Sequence, residues 1–266
     1  MIRDITLGQY YASSSPIHKL DGRVKIIATL FFLVELFLVK SFLGFLVCGI
    51  ALAFVVAVSR VPLSFIMRGL KPVIMILIFT FVLNIFFIQG TVLFNIGPVK
   101  VTREGLYTAA FMTIRLILLI ISSSMLTLTT KPLELTDAIE KLLMPLNVIG
   151  FSAHDAAMMM SIALRFIPTL LEETDKIMKA QQARGADFET GNLIARAKSL
   201  MPIIVPLFVS AFRIAQDLAM AMEARCYRGG KGRTRMNEMK FKTRDYIALA
   251  LVLLFFAAVI LMRIYL

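Results

Sequence analysis

Phe42-Leu-Gly-Phe-Leu-Val-Cys-Gly-Ile-Ala-Leu-Ala-Phe-Val-Val-Ala-Val58 runs without a single charged side chain. A helix over this stretch is long enough to cross a bilayer. Four more runs read the same way: Val24–Val39, Pro72–Ile88, Gly105–Leu128 and Tyr246–Ile264. Composition agrees, because 59% of the 266 residues are hydrophobic, whereas soluble domains average less than half. The expected fold is all-α, a polytopic membrane protein with about five transmembrane helices and long cytoplasmic amphipathic coupling helices. Ser41 and Gly44 imply a tight helical hairpin between the first two spans. Pro72 suits the first turn of the third, where a missing N–H costs nothing. The chain then divides into residues 1–129 with four spans, a polar block 130–243, and a last span 244–266.

Orientation follows from the basic residues. With the N-terminus inside, Arg3, Lys19, Arg23, Lys25, Arg60, Arg68 and Lys71 are cytoplasmic, as is the block from Thr130 to Asp245. Only Lys40, Lys100, Arg103 and Arg263 remain outside. The chain is therefore expected in the cell membrane, inner or plasma, as a multi-pass protein with a cytoplasmic N-terminus. The net charge of +12 belongs to loops facing the lipid bilayer from inside, and no nucleic acid is expected. The first twenty residues are polar and show no apolar core of a cleavable signal. Thr91–Thr102 holds two β-prone runs around Asn95-Ile-Gly97-Pro98, an expected external hairpin. Cys48 and Cys226 lie in dissimilar surroundings, so no disulfide is expected, and His18 beside Asp21 is too little for a zinc site. Neither metal nor cofactor is expected.

The cytoplasmic block reads as amphipathic helices. One runs from Pro132 to Leu143, with Leu135, Ile139, Leu142 and Leu143 on one face and Asp137, Glu140 and Lys141 on the other, ended by Pro145 and Gly150. A second runs from Ala153 to Arg184 with a kink at Pro168. A third runs from Leu193 to Arg225, broken near Pro202 and Pro206, with Leu207, Ala211, Ile214, Leu218 and Met222 as its stripe. Each is too polar on one face to span lipid and too apolar on the other to stand alone.

The last two helices close on similar words, Ala180-Gln-Gln-Ala-Arg184-Gly185 and Ala221-Met-Glu-Ala-Arg225-Cys226. A cation at a helix C-terminus is ordinarily explained by the dipole, worth roughly 0.3–1 kcal/mol. Two matched copies beside small residues suggest docking arginines, whose planar fork binds carboxylates or carbonyls in a way Lys cannot copy. The site residues are therefore Ala183, Arg184, Gly185, Ala224, Arg225 and Cys226. Gly229-Gly-Lys-Gly-Arg-Thr234 fails the phosphate-loop spacing, and the chain is not expected to be an enzyme.

Several stretches together resemble the transmembrane T component of energy-coupling factor transporters, the ABC-type importers of vitamins and trace metal ions. They are Ser15-Pro-Ile-His18-Lys-Leu-Asp21-Gly-Arg23-Val-Lys25, Leu128-Thr-Thr-Lys-Pro132, Arg165-Phe-Ile-Pro168 leading into Arg184, and Val205-Pro-Leu-Phe208 leading into Arg225. The resemblance covers nearly the whole chain. It implies two ATP-binding subunits of ABC type, one on each Arg tip, and a separate substrate-binding membrane subunit. In that family Gly usually follows the second Arg, and here Cys226 does.

Other features have plainer readings. Glu35 and Arg115 lie inside spans, where charges are paired or face protein. Arg115 is expected to face other helices as a structural anchor. Met158-Met-Met160, Met201, Met220 and Met222 read as core filling, or as a pliable platform for exchangeable partners. A membrane-embedded lipid-modifying enzyme would need clustered acidic, His or Cys residues at one depth. A stand-alone secondary transporter would need polar, broken spans. Neither pattern is present.

Overall fold

The computed structural model describes residues 10–96, 99–145, 152–186, 188, 198–229 and 239–265. In chain order the helices are α1 (Gly22–Leu38), α2 (Phe42–Ser59), α3 (Leu63–Leu70), α4 (Ile74–Phe87), α5 (Arg103–Thr129), α6 (Pro132–Leu143), α7 (Ala153–Ala183), α8 (Met201–Ala224) and α9 (Thr243–Tyr265). Between α4 and α5 stand β1 (Val92–Ile96) and β2 (Val99–Thr102), an antiparallel pair with Ile96 opposite Val99. The expected hairpin is present, and its turn residues Gly97 and Pro98 lie outside the described residues.

Two compact units emerge, one from Gly8–Ala138 with Glu238–Leu266 and the other built on Ile139–Asn237. In the first, α5 is the central post, packed by α1, α2, α3 and α4, and α1 also packs on α9. Its core is thin. Leu36, Val39, Phe45, Cys48 and Val259 form one buried cluster, and Val61, Ile66, Met125 and Leu128 a second. The outward faces are apolar, with Phe54 69% and Phe87 78% exposed. A solvent of lipid tails explains such a surface, since in hydrocarbon the apolar side chains have no reason to hide.

Local chemistry starts and stops these helices as the sequence suggests. Ser41 caps α2 by accepting from the Gly44 N–H, and Thr102 caps α5 by accepting from the Gly105 N–H. Each side chain satisfies one of the donors a helix start leaves orphaned.

Among the described residues, five helical segments are long and apolar enough to cross a membrane: Phe42–Ser59, Leu63–Phe87, Arg103–Thr129, Met201–Ala224 and Thr243–Tyr265. The membership differs from the five runs read above. α1 has 17 residues, the short end of the spanning range. The third segment starts at Leu63, earlier than expected. Pro72 sits in a 3₁₀ turn, Lys71–Val73, joining α3 to α4 rather than opening the span. A 3₁₀ turn inside a helical run accommodates a residue without an N–H.

α8 corrects two expectations. The expected break near Pro202 is present, since Lys198 and Ser199 are helical, Leu200 is a turn and α8 starts at Met201, but Pro206 lies inside the helix without ending it. It is also not too polar to cross. The expected stripe Leu207, Ala211, Ile214, Leu218 and Met222 is its half-buried side. A second apolar face, Met201, Val205, Phe208 and Phe212, is about 60% exposed or more. Two apolar faces leave only a narrow polar strip. α7 is one helix with Pro168 inside it. Glu140 of α6, expected in solvent, is buried and 3.2 Å from His154 Nδ1. The expected starting turns of the third cytoplasmic helix from Leu193, the stop at Gly150 and the loop Gly230–Thr234 lie outside the described residues.

Candidate functional site: two matched helix tips

The unit built on Ile139–Asn237 pairs α7 with α8. Its two helices end in the same way. At the first tip the Gly185 N–H donates to the Gln182 carbonyl at 2.9 Å, and the Ala186 N–H to the Gln181 carbonyl at 3.0 Å. At the second, the Cys226 N–H donates to Glu223 at 2.8 Å and the Tyr227 N–H to Met222 at 3.0 Å. This is the Schellman arrangement, which uses up carbonyls that a helix end leaves orphaned. It needs a left-handed residue after the cap. Gly185 supplies it with φ +89 and Cys226 with φ +54. The Gly-to-Cys difference at the second tip therefore leaves the turn intact. Its cost is backbone strain, on the order of 1–2 kcal/mol for a non-Gly residue there.

Arg184 and Arg225 occupy the same station in both motifs, the cap itself, with φ/ψ of −88/6 and −91/14. Both side chains are exposed, as are Ala183, Gly185, Ala224 and Cys226. Neither guanidinium forms a salt bridge among the described residues. The structure thus presents two free forks, each held at a rigid stop and flanked by small side chains.

The tips differ in what lies beside them. Arg225 borders a recess of about 350 Å³ floored by Met158, Ile162, Leu218 and Met222. The Tyr227 hydroxyl donates to the Met158 sulfur at 3.0 Å, bracing the second tip against the first half of α7. The C-terminal end of α8 therefore lies beside the N-terminal half of α7. From Met158 to Arg184 is about 39 Å along a straight helix at 1.5 Å per residue. The two forks stand at well-separated ends of the unit.

The first unit holds a polar clasp that the residue pattern alone did not expose. Asp21 caps α1, accepting from the Arg23 N–H at 2.9 Å. The Arg23 guanidinium grips both carboxylate oxygens, at 3.1 and 2.8 Å, and also donates to the Met239 carbonyl at 3.3 Å. It lies 3.9 Å from the centre of the Phe241 ring. Asp245 accepts from the Asp21 N–H and from the Lys242 N–H, 2.9 and 2.8 Å. Lys25, buried, donates to His18 and Thr129 carbonyls at 3.1 and 2.8 Å. Burial alone would raise the Asp21 carboxyl, but the hydrogen bonds and charge of Arg23 win and hold it below its ordinary value. The starts of α1 and α9 are thereby tied to the end of α5. The spacing Asp21-Gly-Arg23-Val-Lys25 is the signal, legible only once three distant segments meet there.

Arg115 faces protein, as expected. Its Nη2 donates to the Val39 carbonyl at 3.2 Å, and its guanidinium lies 5.0, 5.5 and 5.8 Å from the rings of Phe111, Phe37 and Phe45. It is an anchor for the end of α1. It forms no ion pair with Glu35.

Comparison with known proteins places the chain. Residues 13–236 match the model of the CbiQ family, described as cobalt transport protein. The chain is 57% identical over 267 residues, 100% of its own length and 99% of the relative's, to the energy-coupling factor transporter transmembrane protein EcfT of Clostridium kluyveri. Identity to the protein of the same name from Thermosediminibacter oceani is 55%, covering 93% of each chain. For that of Bacillus subtilis it is 45%, over 97% of this chain and 100% of the relative.

Proposed function

We propose a function from one premise: the chain belongs to the CbiQ family, and it is a transmembrane component of an energy-coupling factor transporter. Its task there is coupling. Arg184 and Arg225, with Ala183, Gly185, Ala224 and Cys226 around them, dock on two cytosolic ATP-binding subunits of ABC type. The exposed face of α8, Met201, Val205, Phe208 and Phe212, receives a substrate-binding membrane subunit. The N-terminus and both arginine tips are cytoplasmic. ATP hydrolysis belongs to the partners, and the imported cargo is a vitamin or another micronutrient selected by the membrane subunit.

One observation carries this reading. Two exposed arginines, without an acidic partner among the described residues, sit at the same station of two helix stops of the same type, in a protein with exposed apolar faces. With its backbone already fixed, each fork need only order its own side chain on docking, at a cost of about 0.5–1.5 kcal/mol, and its planar donors then bond bidentately. When the ATP-binding subunits close, the two tips are displaced relative to each other. The antiparallel pair α7 and α8 converts that displacement into tilt of its apolar face, and the membrane subunit riding on it releases its cargo inward.

The test replaces Arg184 and Arg225 together by Glu. Uptake into cells and co-purification of the ATP-binding subunits should both be lost, while the chain still inserts in the membrane. Normal uptake with normal recovery of those subunits refutes the reading.

A further inference from the structure

α1, α2, α5 and α9 line a cavity of about 530 Å³ in the first unit. Phe32, Leu52, Val55, Met125 and Phe255 make most of its wall, and Glu35 lines it as well. Glu35 is only 1% exposed, and neither carboxyl oxygen has a hydrogen-bond partner among the described residues. Arg115 donates through Nη2 to the Val39 carbonyl, leaves its buried Nε without a partner among the described residues, and forms no ion pair with Glu35. Lys25, at the other end of the cavity, is about 15 Å away along α1. An unpartnered carboxyl at such depth is costly, and in membranes such groups are matched by partners or mark function.

The cavity is open on one side. Phe54 of α2 and Leu251 and Leu254 of α9 belong to its lining, yet are 69, 62 and 69% exposed. Its mouth is therefore the seam between α2 and α9, facing the surroundings of the bundle. A lipid tail suits the apolar wall but offers no donor to Glu35. A helix lying along the seam can supply one at any depth, from Ser, Thr, Lys or Arg.

We propose that a transmembrane helix of the substrate-binding membrane subunit lies along the seam over this cavity, and that one of its donor side chains enters and hydrogen-bonds Glu35. The inference rests on the functional reading above and adds a second point of attachment besides the face of α8. Glu35 is acceptor and address at once: the apolar seam takes any helix, and the carboxyl selects one with a donor at the matching depth.

The experiment purifies the tagged full-length chain from its native membranes in mild detergent and quantifies what accompanies it. Compared are wild type, Glu35→Leu, Glu35→Gln and Leu251→Trp, the last plugging the mouth. Glu35→Leu should lower the recovered membrane subunit about tenfold, since it leaves the partner's donor buried and unpaired. Glu35→Gln, which keeps an acceptor oxygen, should retain most of it, and Leu251→Trp should lose it. ATP-binding proteins should stay constant in all. The Glu35→Leu chain, freed of an orphan carboxyl, should melt no lower than wild type when purified alone, whereas removing a merely structural group would lower it. Unchanged recovery of the membrane subunit in both Glu35→Leu and Leu251→Trp overturns the inference. So does a phospholipid, seen by native mass spectrometry, that Leu251→Trp expels while the membrane subunit remains. If Glu35→Leu loses the ATP-binding proteins as well, it has misfolded and Leu251→Trp decides. A wild-type chain that brings down ATP-binding proteins but no membrane protein overturns the functional reading itself, and this inference with it.

Discussion

Exchanging the residues after the two arginines should move the two tips in opposite directions. Cys226 holds φ +54 and Gly185 φ +89. For an L-residue the left-handed region costs on the order of 1–2 kcal/mol. Glycine avoids that cost but gives up more freedom on folding, roughly 0.5–1 kcal/mol. Cys226→Gly should therefore stabilise its helix end by about 1 kcal/mol or somewhat less. Gly185→Cys should do the reverse by more, because +89 lies further from the left-handed optimum near +57. Among the described residues nothing stands within 4 Å of a Cβ at Gly185, so the effect there is backbone strain rather than crowding. The assay is amide hydrogen exchange on the purified chain. The Tyr227 N–H, bonded to Met222, reports the second tip, and the Ala186 N–H, bonded to Gln181, reports the first. One kcal/mol changes local opening about fivefold. Tyr227 should exchange up to about fivefold more slowly in Cys226→Gly, and Ala186 at least about fivefold faster in Gly185→Cys. Faster exchange at Tyr227 in Cys226→Gly would refute the reasoning, since the thiol would then be holding the turn together.

Three more expectations are open to measurement. Arg115→Leu leaves the Val39 carbonyl without its donor and removes the cation from its ring of aromatics; a loss of about 1–3 kcal/mol should appear as a melting temperature several degrees lower. Gly105→Ala places a Cβ 2.9 Å from the Ile85 carbonyl and 2.7 Å from Thr102 Oγ1, so α4 and α5 must part, at a cost of about 1–3 kcal/mol visible in the same melting assay. His18 donates from Nε2 to the Tyr11 carbonyl at 2.9 Å and is 2.7 Å from the Ser15 hydroxyl through Nδ1. Burial first, and the charge of Lys25, outweigh that carbonyl and lower its pKa below 6.5. The stability tied to neutral His18 is thus complete above pH 6.5 and declines as the pH falls through the lowered value. Melting of wild type should drop between pH 7.5 and 5, and less so in His18→Gln; an equal drop in both would exclude His18 as the source.

The hydrophobic runs and helix stops could be read from sequence because each is decided within a few neighbouring residues. α6 occupies the expected Pro132–Leu143, and α7 ends at the expected arginine. Misreadings came where one signal hid another. Pro72 looked like a beginning because proline favours first turns, but Leu63–Leu70 is already helical before it. The stripe Leu207–Met222 drew attention from the second apolar face of α8. Long-range matters were invisible by nature. Glu140 looks solvated until His154 arrives from α7, and Asp21 looks idle until Arg23, Lys242 and Asp245 gather around it. For the candidate site, repetition made the arginines stand out, while their common turn geometry required coordinates.

The bond from Tyr227 to Met158 has a mechanical meaning. It fastens the trailing end of one arm to the root of the other, so a push on Arg225 enters α7 at the end farthest from Arg184. The arms then behave less like two independent fingers than like a braced truss. A force applied at one tip is thus shared with the other arm, and on the proposed docking the angle of the frame answers to both tips together.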